Sequence, residues 1–250
     1  MTSQNSTVDP AEVAYYDRLA DQWWDSAGKF WPLHRLNTLR LAYIKQELCS
    51  HFYRSTSSSK PLEGLSVIDI GCGGGILSEG IAKLGATVHG IDVVEKSIQV
   101  ARRHSQTGNL TINYELIEVA DLASLGKKYD IVLNMEVVEH VADLPLFMSQ
   151  CTSLVSDRGI MFIATLNRNF LSWLFAIVGA EYILGWLPKG THSWRKLVKP
   201  AELKSLLGRD NLVVSQLVGI KINPINRKFS LNQRPLVNYM LTAVNKDLKN

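Results

Sequence analysis

The stretch VIDIGCGGGILSEGIAK, from Val67 to Lys83, constrains this chain more than any other. An apolar β-branched run stops at Gly71, glycines follow at 73, 74 and 75, and a helical pattern begins. Glycines gather where the backbone takes positive φ or where a ligand approaches the main chain closely. A strand, a tight loop and a helix are expected here. The next apolar run, ATVHGID, closes at Asp92. That is about 20 residues on, the usual offset for an acid that holds ribose hydroxyls.

Two details narrow the ligand. A dinucleotide loop would carry glycine at position 76, where this chain has Ile76. Asp69 lies on the strand before the loop. A carboxylate there suits a cationic amino acid group and would repel a pyrophosphate at the helix N-terminus. The pattern points to a nucleoside carrying an amino acid, with S-adenosylmethionine the foremost candidate. Asp69, Gly71, Gly73 and Asp92 are the expected contacts. The competing reading, a bare strand–helix turn, leaves all of them as coincidence.

Strands are expected over 66–71, 86–92, 111–119, 129–135 and 159–166, with helices over 75–84, 95–105 and 143–155 between them. Two late strands, 212–220 and 236–244, flank no further glycine motif and follow a helix near 200–207. This alternation predicts an α/β fold with a seven-stranded, mostly parallel sheet and helices on both faces. One domain is expected. It comprises an N-terminal helical cap (1–60), a cofactor-binding core (65–166), an apolar insertion after the fifth strand (167–195) and the remaining sheet (196–250).

Composition excludes several classes. A net charge of +4 over 250 residues gives no argument for nucleic acid. Three cysteines, Cys49, Cys72 and Cys151, make no disulfide framework and fit a reducing compartment. The polar, acidic start lacks the marks of a signal or transit peptide, so a cytoplasmic location is expected.

The segment NMEVVEH follows the fourth strand. In a helix, Glu136, Glu139 and His140 would share one face at i, i+3 and i+4. Three readings stay open. The trio holds a divalent metal such as Mg²⁺, His140 acts as a general base, or the face is a solvated stripe.

Taken together, the segments resemble class I S-adenosylmethionine-dependent methyltransferases, whose core is Rossmann-like. They resemble most closely the ubiquinone-biosynthesis O-methyltransferases. The likeness covers nearly the whole chain. It rests on DQWWD, FWPLHRLNTLRLAYI, DIGCGGGILSEGIAKLGATVHGID, MEVVEHV, TLNRN, VGAEYILGWLPKGTH, KPAEL and VNYML. The resemblance implies O-methylation of polyprenylated catechol and demethylubiquinol hydroxyls. It also implies cofactor contacts at Arg40, Gly71, Asp92 and Met135, and supports metal assistance in some members. Asp121 is expected either to bond the adenine amine or to cap the helix after it.

FLSWLFAIVGAEYILGWL (170–187) is strongly apolar and carries one charge, Glu181. Its length is borderline for a transmembrane span. Spanning would part the late strands from their sheet, so an interfacial element is expected, placing the protein peripherally at the inner membrane beside a prenylated substrate. A buried helix or dimer contact is the competing reading. Other ubiquinone-biosynthesis proteins are conceivable partners. Alternative functions are methylation of a soluble phenol, or non-catalytic cofactor binding in a membrane-associated complex.

Overall fold

The computed structural model describes residues 6–173, 194–223 and 226–249. The N-terminal cap holds α1 (Pro10–Leu19) and α2 (Trp31–His51). Each carries a proline in its first turn, where the missing N–H has no helical partner to lose. Asp9 caps α1 by accepting from the Ala11 N–H. The core continues through β1 (Ser66–Ile70), α3 (Ile76–Lys83), β2 (Thr87–Asp92), α4 (Glu95–Thr107) and β3 (Asn113–Leu116). Then come α5 (Val119–Ser124), β4 (Tyr129–Met135), α6 (Leu144–Ser153) and β5 (Val155–Leu166). A single helical turn, α7 (Phe170–Ser172), opens the insertion. The chain resumes at residue 194 and adds α8 (Pro200–Arg209), β6 (Leu212–Asn223), β7 (Lys228–Asn232) and β8 (Asn238–Asn245).

The strands form one sheet in the order β3-β2-β1-β4-β5-β8-β6-β7. Strands β1 to β5 pair in parallel, and β8 runs antiparallel between β5 and β6. The sheet has eight strands rather than the expected seven. The extra one, β7, pairs only with β6 at the edge, and its mixed, half-exposed KFSLN sequence offers little strand signal.

Alternate residues of the central strands feed two cores. Ile68, Val132, Met161 and Ile163 face α5, α6 and α8. Val67, Ile131, Leu133 and Phe162 face α2 and α3. A strand buried on both sides needs no polar alternation, which is why these segments read as continuous apolar runs. The three cysteines are free and buried. Among the described residues no helix is long and apolar enough to cross a membrane. Most of the apolar stretch 170–187 lies outside the described residues.

Candidate active site

The strand order reverses between β1 and β4, and the crevice outside their carboxyl ends is where α/β sheets take ligands. Ile70 pairs with Asn134 across these strands, so Gly71 and Met135 emerge side by side. A cavity of about 1060 Å³ opens there. Gly71, Gly73 and Gly75 have φ of +70°, +53° and +84°. The Gly71 and Cys72 N–H groups both bond the Ile91 carbonyl, which fixes the loop against the end of β2.

Asp92 closes that end. One carboxylate oxygen accepts from the Gly73 N–H and the other from the Val94 N–H, each at 2.8 Å. A carboxylate offers about four acceptor sites, so capacity remains for ribose hydroxyls in the cavity it lines. Asp69 is buried at the cavity floor and accepts from Ser78 Oγ at 2.5 Å. Burial pushes its carboxyl up to about 7 against the opposing Ser78 bond, with the Asp92 charge adding to the rise. A cationic amino group would compensate this carboxylate. The glycine loop, the two acids and the cavity therefore fit an amino-acid-bearing nucleoside. Trp23 lies over Gly73 and Gly74, and its carbonyl bonds the His34 ring.

The NMEVVEH segment is a turn, not the helix face expected. Glu136 sits in the left-handed region at φ +59°, and the His140 N–H bonds the Val137 carbonyl. The three side chains consequently diverge. Glu136 pairs with buried Arg40 of α2. Glu139 is buried away from the cavity lining, and neither of its oxygens has a hydrogen bond in good geometry, although Glu136 and Thr165 lie beside it. Burial, reinforced by the Glu136 charge, holds its carboxyl well above the ordinary range.

His140 turns to α1. Its Nδ1 is 3.0 Å from Glu12 Oε2, and its Nε2 is 3.1 Å from the Tyr16 hydroxyl. The other oxygen of Glu12 accepts from Lys196 Nζ at 2.9 Å, and Lys196 also reaches Asp9 at 2.8 Å. Burial pushes the Glu12 carboxyl up, but the His140 and Lys196 bonds outweigh it and hold it below its ordinary value. Nothing local in the sequence marked Glu12, Tyr16 or Lys196.

Among the described residues no three His, Cys, Asp or Glu side chains converge to hold a metal. The carboxylates of Glu136 and Glu139, which lie beside each other, are the feature that would suit a cation, while His140 turns away to α1. Of the expected cofactor contacts, Arg40, Asp69, Gly71, Gly73, Asp92 and Met135 line the cavity. Asp121 does not: it is exposed on the first turn of α5. It is not the helix cap either, because α5 starts earlier than expected and Glu118 holds that position. The far wall is apolar, formed by Leu33 and Leu36 of α2 with Ile220, Ile222 and Phe229 of β6 and β7.

A family model described as a methyltransferase domain matches residues 40–217. The ubiquinone biosynthesis O-methyltransferase of Bartonella tribocorum is 48% identical over 238 residues, covering 95% of this chain and 96% of that protein. The protein of that name from Bartonella bacilliformis is 50% identical, covering 94% and 95%. Among solved structures, the magnesium protoporphyrin IX methyltransferase of Synechocystis with bound SAH shares the fold. Its TM-score is 0.65 at 21% identity, covering 94% of this chain and 99% of that one. The plantazolicin methyltransferase BpumL in complex with SAH has a TM-score of 0.63 at 16% identity, covering 94% and 97%.

Proposed function

The chain belongs to the family of ubiquinone biosynthesis O-methyltransferases, and we propose from that premise how its residues perform the transfer. It is an S-adenosylmethionine-dependent O-methyltransferase of ubiquinone biosynthesis. The acceptors in this reading are hydroxyls of polyprenylated catechol and demethylubiquinol rings. The observation that carries the reading is one cavity that joins the Asp69–Gly71–Asp92 cradle to His140 and to an apolar wall.

Bound S-adenosylmethionine supplies an electrophilic methyl group on a sulfonium. Asp69 would hold its amino group, Asp92 its ribose hydroxyls, and Met135 would pack against its base. The prenylated ring lies along Leu33, Ile222 and Phe229, where burial of apolar surface favours it. A phenol with pKa near 10 is ionised in only about one molecule per thousand at pH 7. His140 removes that obstacle. His140 Nε2 would take the hydroxyl proton as the acceptor oxygen receives the methyl group and the neutral thioether leaves.

A second reading follows from Glu139. With Glu136 beside it, a divalent cation held by the Glu136 and Glu139 carboxylates would offset their charge and make the catechol more acidic. One assay separates the two: labelled methyl transfer from S-adenosylmethionine to a short-chain prenyl catechol, with and without chelator. The base reading expects full transfer with chelator present, and the cation reading expects it abolished. Absence of transfer under every metal condition would defeat both.

The acceptor's tail requires access from a bilayer. Phe170 and Trp173, at the start of the apolar stretch, are 66% and 41% exposed, as suits an interfacial anchor. The enzyme in this reading works peripherally on the cytoplasmic face of the inner membrane. Liposome flotation of the wild type and of a charge-substituted 170–187 variant tests it, and equal flotation of the two would remove the anchor.

A further inference from the structure

We propose that Glu12, steadied by Lys196, is the positioning residue for His140. The inference rests on the reading in which His140 acts on the acceptor hydroxyl. An ionised carboxylate can only accept hydrogen bonds, and Glu12 is paired with the Lys196 ammonium at 2.9 Å. The contact from Glu12 Oε2 to His140 Nδ1 must then be a bond donated by Nδ1–H. In the neutral ring this leaves the lone pair on Nε2, the nitrogen that faces the Tyr16 hydroxyl at 3.1 Å. With that tautomer the Tyr16 hydroxyl donates to Nε2, so an acceptor hydroxyl reaches the lone pair by displacing Tyr16. The carboxylate thus selects the tautomer and the ring orientation that proton removal needs.

Lys196 has a second partner, Asp9, on the same helix. That pair alone would latch α1 over the cavity, which offers a purely structural explanation of Glu12. The two roles separate by substitution. Asp9→Asn keeps the α1 cap and weakens only the latch. Glu12→Gln keeps the shape but removes the charge that holds Nδ1–H. Lys196→Met releases both acids.

The measurement is kcat and KM with labelled S-adenosylmethionine and a short-chain prenyl catechol, alongside melting temperature and ¹⁵N NMR of the His140 ring. Glu12→Gln should lower kcat about 10- to 100-fold, the cost of losing a group that orients an imidazole. KM for the methyl donor and the melting temperature should hold. The NMR should show Nδ1–H in the wild type and its loss in the variant. Lys196→Met should lower kcat by a smaller factor in the same direction, and Asp9→Asn should stay within about twofold of wild type. In a His140→Ala background, Glu12→Gln should cost nothing more. Equal losses in Glu12→Gln and Asp9→Asn, or a further loss on top of His140→Ala, would overturn the proposal. So would full kcat in Glu12→Gln while His140→Ala is impaired. Full kcat in His140→Ala would instead remove the reading beneath it.

Discussion

The two ends of the cavity are built in opposite ways. On the cofactor side, Gly71, Gly73 and Asp92 belong to one βαβ unit, and Asp92 is held by the main-chain N–H groups of Gly73 and Val94. On the acceptor side, Glu12, His140 and Lys196 come from distant parts of the chain and bond side chain to side chain. Main-chain donors are fixed once the fold is fixed. Long side chains keep rotamer freedom that each contact must overcome, up to about 2 kcal/mol for a lysine. The first end is a rigid cradle; the second is a network that can rearrange around a substrate. Damage to the cradle should therefore appear in methyl-donor binding, and damage to the network in turnover.

Substitutions in the cradle test half of that contrast, beginning with the largest effect. An added Cβ at Gly71 would meet Val137 Cγ2 at 2.5 Å at a φ of +70°. Ordinary contact begins at 3.4 Å, so in Gly71→Ala the loop or the Val137 side chain must shift by about 1 Å. A misplacement of that size costs about 10²-fold in rate. Calorimetric titration should show weakened S-adenosylmethionine binding as the cause; normal binding in this variant would break the contrast. Asp92→Asn removes a charged acceptor worth about 1.5–3 kcal/mol. It should weaken the same binding about 10- to 100-fold while leaving turnover at saturation close to wild type.

Asp69 gives a subtler effect. Its folded carboxyl titrates near 7, above the ordinary 3.8, so the folded state binds more protons between those values. This group's stabilising contribution is complete below about pH 4 and lost as pH rises through 7. Urea unfolding of the cofactor-free protein should show stability falling across that window, and Asp69→Asn should flatten the fall. The smallest effect belongs to Asp121→Ala: an exposed side chain outside the cavity should leave methyl-donor affinity within about twofold.

The same contrast explains what the sequence disclosed. The cradle was legible because its signals are local: a strand, glycines in sequence, and an acid at the close of the next strand. The parallel sheet was legible because doubly buried strands make apolar runs. The acceptor network was not, because His140 meets partners 124 and 128 residues away and Glu12 meets Lys196 at a separation of 184. The helical spacing of Glu136, Glu139 and His140 misled, since a left-handed Glu136 turns the segment away from a helix. Asp121 misled because the cap of α5 is Glu118, three residues before the expected one.

The most direct test of the contrast uses one protein and two readouts. His140→Ala should bind S-adenosylmethionine within about twofold of wild type. Its single-turnover methyl transfer to a prenyl catechol should fall about 10²- to 10⁴-fold, the range for a lost general base. Loss of both together would show that the two ends are one unit, and retention of the full rate would show that His140 takes no part in the chemistry.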